Sequence, residues 1–387
     1  MNASPRFKIV GAGIFGCTVA NIIAHEGYSV DVTDCRDDIG GNCRTKTDEN
    51  GIEVHLYGSH IFHTDDEDVW RFVGKFTEFN EYRHKVVAVH DGMSYYLPIN
   101  LSLLNQFFKR KMTPSEAEAL IESVKGHNGN PSNLEEKAVS MVGKDVYRAF
   151  FKNYTEKQWG CDASSLSPSV ISRIPVRYNY DTNYFNDRFQ GIPLNGYQSM
   201  FRKMLSNPLI TVTLGKKCLL TELKDDVAAR RYDAVLYTGA LDELFDYRIG
   251  ELPWRSLRFE MTTASVRDFQ GTSVVNYVDN DAAYTRIHEF KHYHPEDRGL
   301  MSLEKTVVQR EYPKRWSRGD ERFYPVENVK SRTLHSKYLS LLKDEFNGKI
   351  YAGGRLGLFR YFDMDDAVSE AIKLSRAIMK KEKDNRQ

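Results

Sequence analysis

Three glycines near the start of the chain have the spacing of a phosphate-binding turn. Gly11, Gly13 and Gly16 follow an apolar run at residues 7–10, and Ile14 and Phe15 lie between the second and third. In a βαβ unit the first glycine permits a tight turn, the second lets a pyrophosphate approach the backbone, and the third lets the helix pack closely. The amides at the start of that helix point at the phosphates. The motif predicts a dinucleotide site.

An acidic residue, Asp34, ends the next strand-like stretch at residues 28–33. A carboxylate at this distance can accept hydrogen bonds from ribose hydroxyls. A second glycine pair, Gly40 and Gly41, with Asn42 next, follows so soon that the chain must turn back over the dinucleotide instead of starting an ordinary crossover helix. This spacing favours FAD over NAD as the cofactor. A simple Gly-Gly-Asn turn without a ligand is the alternative.

The C-terminal part of the chain carries a related pattern. Strand-like residues 349–352 run into the glycine-rich stretch 353–357, and the acidic turn 363–366 opens an amphipathic last helix. Acidic residues are favourable in the first turn of a helix. We therefore expect the two ends of the chain to meet at one cofactor.

Aromatic side chains and a few arginines concentrate between residues 147 and 197. Aromatic rings stack on bases and sugars, and guanidinium groups hold phosphates through two parallel hydrogen bonds, so the segment predicts a nucleotide diphosphate ligand. Core packing is the alternative for Phe150 and Phe151. Single-stranded nucleic acid uses similar surfaces, but the balance of 54 Lys and Arg against 53 Asp and Glu makes a long polyanion a poor partner.

Two histidine patterns raise the question of a metal. His60 and His63 have helical spacing, but no further cluster of Cys, His or acidic residues completes a site. Residues 288–292 spell His-Glu-x-x-His, a zinc motif that requires a helix. Their surroundings are β-rich, and residues four apart in a strand are about 13 Å apart, too far to share one zinc ion. The sequence predicts no metal.

The composition is ordinary for a globular protein and fits two or three domains in 387 residues. Five cysteines without a Cys-x-x-Cys pair favour a reducing compartment. The first strand starts within ten residues, which leaves no room for a signal peptide, and no apolar run reaches the ~18 residues of a membrane span. We expect a cytoplasmic protein with neither membrane nor nucleic-acid partners.

The order of the remaining patterns predicts the fold class. Residues 82–98 alternate like a hairpin with a turn at 91–92, residues 101–171 are helical with a capping box at 113–116, and strand-like runs follow at 210–213, 234–238 and 257–266. We predict an α/β protein with a split Rossmann-like FAD-binding domain, an inserted helical domain and an antiparallel β-sheet domain that binds substrate. Their expected limits are 1–80, 196–246 and 335–387 for the first; 97–172 for the second; and 81–96, 173–195 and 247–334 for the third.

Several strings closely resemble bacterial UDP-galactopyranose mutases, in the same order along nearly the whole chain. They are residues 58–64, 154–160, 173–177, 285–289, 354–357 and 360–365. The resemblance implies an isomerase that interconverts UDP-galactopyranose and UDP-galactofuranose without net redox change. Reduced FAD would act through N5 as the nucleophile on the anomeric carbon. It also implies a cytoplasmic homodimer that takes electrons from an external reductant.

The same resemblance assigns roles to individual residues. Arg173 and Arg286 would stabilise the leaving diphosphate, His63 would lie near the sugar, and His60 beside the flavin, after a Ser59 that stands where relatives often have proline. The remaining substrate-binding residues would be Tyr154 on uracil, Trp159, Tyr184 and Phe185 in the cleft, Asn276, and Tyr324 and Tyr361 on the diphosphate. The remaining cofactor-binding residues would be Ile61, Arg355, Asp363 and Met364.

Other functions stay open. The same chemistry could act on UDP-N-acetylgalactosamine, and a redox flavoenzyme of amine-oxidase type would share the split FAD site. A non-catalytic sugar-nucleotide sensor would bind without turnover. A nicotinamide epimerase usually needs Tyr-x-x-x-Lys, and none of the 22 tyrosines has lysine four positions later.

Overall fold

The computed structural model describes residues 5–126, 129–171 and 175–384, in which strands and helices alternate along the chain. The strands are β1 (Arg6–Val10), β2 (Ser29–Thr33), β3 (Thr45–Thr47), β4 (Glu53–His55), β5 (Phe62–Thr64), β6 (Val86–His90), β7 (Met93–Leu97), β8 (Phe189–Gly191), β9 (Ile210–Thr213), β10 (Ala234–Tyr237), β11 (Trp254–Ala264), β12 (Val274–Tyr277), β13 (Arg286–Glu289), β14 (Thr306–Arg315), β15 (Tyr324–Pro325) and β16 (Ile350–Ala352). The helices are α1 (Ile14–His25), α2 (Glu67–Val73), α3 (Leu101–Phe107), α4 (Pro114–Val124), α5 (Leu134–Val142), α6 (Lys144–Tyr147), α7 (Asn153–Trp159), α8 (Gly196–Met204), α9 (Leu220–Ala228), α10 (Leu241–Leu244), α11 (Arg298–Met301), α12 (Val329–Glu345), α13 (Gly354–Gly357) and α14 (Met364–Asp384).

A parallel sheet gathers strands from distant parts of the chain. Its order is β16-β10-β1-β2-β9, so strands from both ends of the sequence lie in one sheet. Helices α1 and α14 pack against each other and share a core with β1 and β2, in which Ile9 and Val32 are fully buried. The predicted split Rossmann-like arrangement is confirmed.

A second sheet has the order β15-β11-β14-β13-β12-β6-β7 and is antiparallel except where β12 pairs with β6. In its centre Asn276 lies opposite Arg286, and Arg286 lies opposite Glu311. Side chains of directly paired residues point to the same face of a sheet. The register therefore sets an amide, a guanidinium and a carboxylate in a row.

The hairpin predicted at residues 82–98 is present but starts later. Asp91 and Gly92 have φ values of 48° and 71°, as a two-residue type I′ turn requires. The ladder between β6 and β7 begins only at Val86. Before Val86, the carbonyl of His84 accepts a hydrogen bond from Tyr184 N at 2.8 Å. This stretch therefore binds the segment around Tyr184 instead of extending the hairpin.

The helical part, α3 to α7, follows the predicted pattern with one exception. The capping box at Thr113 is formed, and Phe150 and Phe151 are buried in the core. Between α6 and α7 the chain makes a π-helical turn, Arg148–Lys152, which the sequence pattern does not predict. Such turns shift the face that the following helix presents. Across the described ranges, no helix combines the length and the apolar composition that crossing a membrane requires.

A buried ion pair in the parallel sheet gives a prediction on stability. Lys8 and Asp226 have side chains that are each 3% exposed, and Lys8 Nζ lies 2.7 Å from Asp226 Oδ2. Asp226→Asn removes the fully buried one of the two carboxylates that contact Lys8 Nζ, the other being Glu222 at 2.6 Å, so we expect a loss of up to about 3 kcal/mol, measured from urea unfolding. The control is Glu26→Gln, because the Glu26–Lys383 pair is exposed and 3.8 Å long. Equal unfolding midpoints for the two variants would contradict the prediction.

Candidate active site

The glycine turn after β1 has no space for side chains. Gly11 has a φ of +109°, and a Cβ there would lie 1.9 Å from Thr238 Oγ1. A Cβ on Gly16 would lie 1.9 Å from the carbonyl oxygen of Gly11. Helix α1 starts from Gly13, and within the described ranges no side chain caps it. The first amides of α1, from Ile14 and Phe15, are therefore placed as a phosphate site requires.

The second glycine turn packs directly on the first. Gly40 N donates to the carbonyl of Ala12 at 2.8 Å, and a Cβ on Gly41 would lie 3.0 Å from Gly13 Cα. Asp34 is buried, and its Oδ2 accepts a hydrogen bond from Ala12 N at 2.6 Å. The acid and both glycine turns are thus held together as one group.

Two further predicted cofactor residues border this group. Asn42 Oδ1 accepts a hydrogen bond from Arg36 Nη2 at 2.8 Å, which ties the second turn to the chain after Asp34. At the other end of the sequence, a Cβ on Gly354 would lie 3.6 Å from Phe15 Cβ. The C-terminal glycine stretch therefore meets the N-terminal one, as expected.

A third turn, residues 58–61, packs on the antiparallel sheet, where a Cβ on Gly58 would lie 3.4 Å from Glu311 Oε2. His60 Nδ1 is 2.8 Å from the carbonyl of Gly58, and Ile61 is buried. Burial, assisted by the nearby charge of Arg355, lowers the pKa of His60 to about 4. The ring is therefore neutral at neutral pH.

Arg355 is fixed by backbone carbonyls. Its Nη1 donates to Phe323 O at 3.0 Å and its Nη2 to Phe362 O at 2.5 Å. Helix α14 begins one residue after Asp363, at Met364, with acidic residues in its first turn. The predicted opening of the last helix at this acidic turn is confirmed.

The row of polar side chains on the antiparallel sheet contains the guanidinium of Arg286. Arg286 Nε lies 3.5 Å from Glu311 Oε1, and the Glu311 side chain is 2% exposed. Burial would raise the pKa of Glu311, but the charge of Arg286 and the hydrogen bond with His288 together outweigh burial, and the pKa is lowered. Arg286 Nε and Asn276 Oδ1 are buried and have no hydrogen-bond partner among the described residues. This face therefore offers polar atoms to a ligand.

Helix α7 brings an aromatic ring to the same guanidinium. Arg286 Nη2 donates to the hydroxyl of Tyr154, and the guanidinium carbon lies 5.9 Å from the centre of the Tyr154 ring. Burial raises the pKa of Tyr154 to about 12, so the phenol is neutral. Tyr154 and Arg286, predicted separately, are in contact. Arg173, the other predicted diphosphate ligand, lies outside the described residues.

A line of aromatic rings links α7 to Arg355. The ring centres of Trp159 and Tyr324 are 6.0 Å apart, and those of Tyr324 and Tyr361 are also 6.0 Å apart and nearly parallel. The Arg355 guanidinium carbon lies 4.8 Å from the centre of the Tyr361 ring. The predicted substrate tyrosines therefore border the predicted cofactor residue.

The segment before β8 supplies the remaining predicted residues. The rings of His63 and Phe185 stack with centres 3.7 Å apart, and His63 Nδ1 lies 3.1 Å from Asp187 Oδ2. Phe185 and Tyr184 both contact the ring of His84. Burial, followed by the nearby charge of Arg286, lowers the pKa of His84 to about 3. These residues therefore lie beside the polar row.

Two cations that sequence reasoning missed hold α7 in place. Lys157 Nζ donates to backbone carbonyls in the chain between β12 and β13, namely Tyr277 at 2.8 Å, Asp279 at 2.5 Å, Ala282 at 3.1 Å and Tyr284 at 3.4 Å. Arg255 Nε donates to Gln158 O at 2.8 Å. Because these carbonyls belong to no motif, only the folded chain identifies the two residues.

The His-Glu-x-x-His motif is not on a helix. His288 lies in β13, and His292 lies in a 3₁₀ turn, Phe290–Tyr293. His288 faces Glu311, whereas His292 Nε2 lies 3.3 Å from Asp268 Oδ1 and 3.5 Å from Glu289 Oε2. The prediction that the motif is not on an α-helix is confirmed, but residues 290–293 form a 3₁₀ turn and do not continue the β-rich stretch as predicted.

Comparison with known proteins identifies the family. A model of the UDP-galactopyranose mutase family matches residues 149–361, and a model described as an NAD(P)-binding Rossmann-like domain matches residues 9–76. The chain is 42% identical over 371 residues to a probable UDP-galactopyranose mutase of Klebsiella pneumoniae, covering 95% of this chain and 93% of that protein. The chain belongs to the UDP-galactopyranose mutase family. It is therefore an enzyme of the UDP-galactopyranose mutase class, and its N-terminal part is a Rossmann-like dinucleotide-binding domain.

Another relative is named for a different substrate. The chain is 40% identical over 384 residues to a dTDP-fucopyranose mutase of Escherichia coli, covering 98% of this chain and 100% of that protein. A crystal structure of a reduced UDP-galactopyranose mutase has the same fold, with a TM-score of 0.74 at 16% identity and coverage of 97% and 96%. A putrescine oxidase also matches, with a TM-score of 0.57 at 11% identity and coverage of 97% and 100%. The fold alone therefore does not separate mutases from oxidases.

The histidines of the site predict an acid dependence of stability. His84 has a pKa of about 3 in the folded protein, whereas the ordinary pKa of a histidine is 6.5, so only the unfolded chain takes up this proton between these pH values. Stability should fall as pH drops below 6.5, by about 1.4 kcal/mol at pH 5.5 from this residue. His84→Gln should remove that part of the decrease in urea unfolding.

A histidine with the opposite shift is the control. Burial alone would lower the pKa of His292, but the contacts of the ring with Glu289 and Asp268 raise it. The protonated ring therefore stabilises the folded protein below pH 6.5, and this contribution is lost as the pH rises through the folded pKa. His292→Gln should therefore steepen the loss of stability on acidification. If both variants changed the pH dependence in the same direction, the assignment would be wrong.

Proposed function

We propose that this chain interconverts UDP-galactopyranose and UDP-galactofuranose with reduced FAD and without net redox change. The observation that carries the proposal is the polar row on the antiparallel sheet, where Arg286 is in contact with Tyr154 and Glu311. A guanidinium beside an aromatic ring suits a nucleoside diphosphate, which presents both phosphate and base. Family membership supports the sugar-nucleotide class.

The glycine turns fit FAD. A side chain at Gly11 or Gly16 would collide with the chain itself, so these glycines permit the tight turn and the close helix packing that a dinucleotide site requires. Reduced flavin would supply an electron-rich nitrogen that acts as nucleophile at the anomeric carbon. The residues proposed to hold the cofactor are Gly11, Gly13, Ile14, Phe15 and Gly16 at the pyrophosphate, Asp34 at the ribose, Gly41 and Asn42 over the dinucleotide, and His60, Ile61, Arg355, Asp363 and Met364 at the flavin.

The task of Arg286 is electrostatic. When the bond between the sugar and the diphosphate breaks, negative charge grows on the diphosphate, and N–H donors already in place stabilise it. Glu311 balances the charge of Arg286 through Nε, while Nη2 of Arg286 donates to the hydroxyl of Tyr154. Arg173 is proposed as the second guanidinium. Removal of one such donor typically costs ~3–4 kcal/mol of barrier.

The aromatic residues would position the substrate. Tyr154 would stack on the base, and Trp159 would line the same part of the cleft. Tyr324 and Tyr361 would donate their hydroxyls to the diphosphate, since burial keeps the phenol of Tyr324 neutral by raising its pKa. On the sugar side we place Asn276, with an unpaired oxygen, and the aromatic group of His63, Phe185 and Tyr184, in which Phe185 stacks on His63 and meets Tyr184 edge to face.

A second candidate substrate is a dTDP-linked 6-deoxyhexose. The nearly equal identity to a dTDP-fucopyranose mutase and to a probable UDP-galactopyranose mutase favours it as the alternative. The chemistry at the anomeric carbon would be the same, whereas the base, the 2′ position of the nucleoside and the C6 substituent of the hexose would differ. UDP-N-acetylgalactosamine is the third substrate of this class.

The cellular location, the oligomeric state and the electron source of the enzyme are proposed from the sequence resemblance. It would be a cytoplasmic homodimer that receives electrons from an external reductant. The three-part division of the chain given above is likewise a proposal.

Activity should depend on the redox state of the flavin. Purified protein should absorb near the flavin bands and should isomerise UDP-galactofuranose only after reduction by dithionite, because oxidised flavin lacks the nucleophilic nitrogen. The assay is separation of the two UDP-sugars by liquid chromatography. Turnover with the flavin kept fully oxidised, or steady consumption of an electron acceptor, would contradict the proposal. UDP-galactose, dTDP-fucose and UDP-N-acetylgalactosamine assayed side by side would rank the three substrates.

Arg286→Ala should lose most turnover while keeping its flavin absorbance, since the residue contacts no predicted cofactor residue. We expect a decrease in kcat/KM of about 10²–10³, and Arg286→Lys should restore little because lysine lacks the planar fork. The matched control is Arg310→Ala. Arg310 pairs with Ile287, the residue after Arg286 in β13, and its side chain therefore lies on the face of the sheet opposite to that of Arg286. Near wild-type activity of Arg286→Ala would remove Arg286 from the site.

A further inference from the structure

A buried line of side chains joins the turn at Ser59 to the carboxylate beside Arg286. Ser59 Oγ makes hydrogen bonds with both the Tyr293 hydroxyl and His288 Nδ1. On the other side of the ring, His288 Nε2 lies 3.3 Å from Glu311 Oε2. His288 is 0% exposed, and Tyr293 and Glu311 are each 1% exposed. The line connects residues more than 200 positions apart in the sequence.

The direction of each hydrogen bond in this line follows from the donors available. Glu311 is ionised and can only accept, so His288 donates from Nε2. Burial lowers the pKa of His288, which leaves Nδ1 without a proton, and Nδ1 must accept from Ser59. Ser59 has then used its one proton, so Tyr293 donates to Ser59. One arrangement satisfies every group, and it fixes the tautomer of His288.

Both ends of the line reach the proposed site. Glu311 uses Oε2 for His288 and places Oε1 3.5 Å from Arg286 Nε. Ser59 precedes His60, and a Cβ on Gly58 would lie 3.4 Å from Glu311 Oε2. The flavin-side turn and the diphosphate-side guanidinium are therefore connected through one carboxylate.

We propose that Ser59 and His288 are positioning residues that orient Glu311 and, through it, the guanidinium of Arg286. They do not touch the substrate, and the inference rests on the proposed function of Arg286. A carboxylate bound on only one side can rotate, whereas the hydrogen bond from His288 fixes the plane of Glu311. Loss of that bond would move Arg286 away from the diphosphate without removing its charge.

The test compares two substitutions of His288 with wild type. His288→Leu removes both hydrogen bonds, and we expect about tenfold weaker UDP binding and a similar rise in KM, with unchanged flavin content. His288→Gln keeps an N–H donor at the position of Nε2, and it should restore most of the affinity. Binding is measured by titration calorimetry with UDP, and KM and kcat by the isomerisation assay.

Ser59→Ala is the smaller change and should weaken UDP binding about threefold while the protein folds normally. The control is Ser273→Ala, because Ser273 also makes a side-chain hydrogen bond with a tyrosine, the Tyr82 hydroxyl at 2.5 Å, and the described residues show no contact between it and Glu311. It should lower the melting temperature without changing the Kd for UDP. If His288→Leu does not fold, Ser59→Ala against Ser273→Ala decides the question.

Three results would overturn the inference. They are wild-type Kd and KM in Ser59→Ala, a loss in Ser59→Ala no larger than that in Ser273→Ala, or an equal loss in His288→Gln and His288→Leu. A wild-type protein that neither binds UDP nor turns over a UDP-sugar would instead overturn the proposed function. The two failures are therefore distinguishable.

Discussion

The site depends on one electrostatic constraint, the pairing of Arg286 with Glu311 in the centre of a sheet. The carboxylate of Glu311 is buried and needs a positive charge nearby, and the register of β13 with β14 sets the half-buried guanidinium of Arg286 directly opposite it. The same register places Asn276 on the other side of Arg286. Because a shift of β13 by one residue would turn Arg286 away from the face that carries Asn276 and Glu311, strand pairing itself specifies the site.

The rest of the fold positions partners around this pair. The parallel sheet brings the two glycine turns and the C-terminal glycine stretch into contact, and these turns border the aromatic line through Arg355. Lys157 and Arg255 attach α7 to the antiparallel sheet, so that Tyr154 meets Arg286. A ligand with a diphosphate between a base and a sugar would contact both sheets.

Sequence patterns predicted the elements that depend on residues close together in the chain. The glycine spacing, the hairpin at residues 91–92 and the capping box at Thr113 all appear in the structure. Resemblance to a family pointed to Tyr154 and Arg286. Glu311 was missed because its role depends on register between strands separated by a long connection, and the π-helical turn before α7 has no periodic signal. Lys157 was missed because its partners are backbone carbonyls.

The most direct test is a crystal structure of the protein with reduced FAD and UDP-galactose. The account predicts that Nη atoms of Arg286 lie about 3 Å from diphosphate oxygens while Nε still faces Glu311, with the base on Tyr154 and the flavin on the glycine turns. A diphosphate bound away from β13, or a flavin out of reach of the sugar, would contradict it.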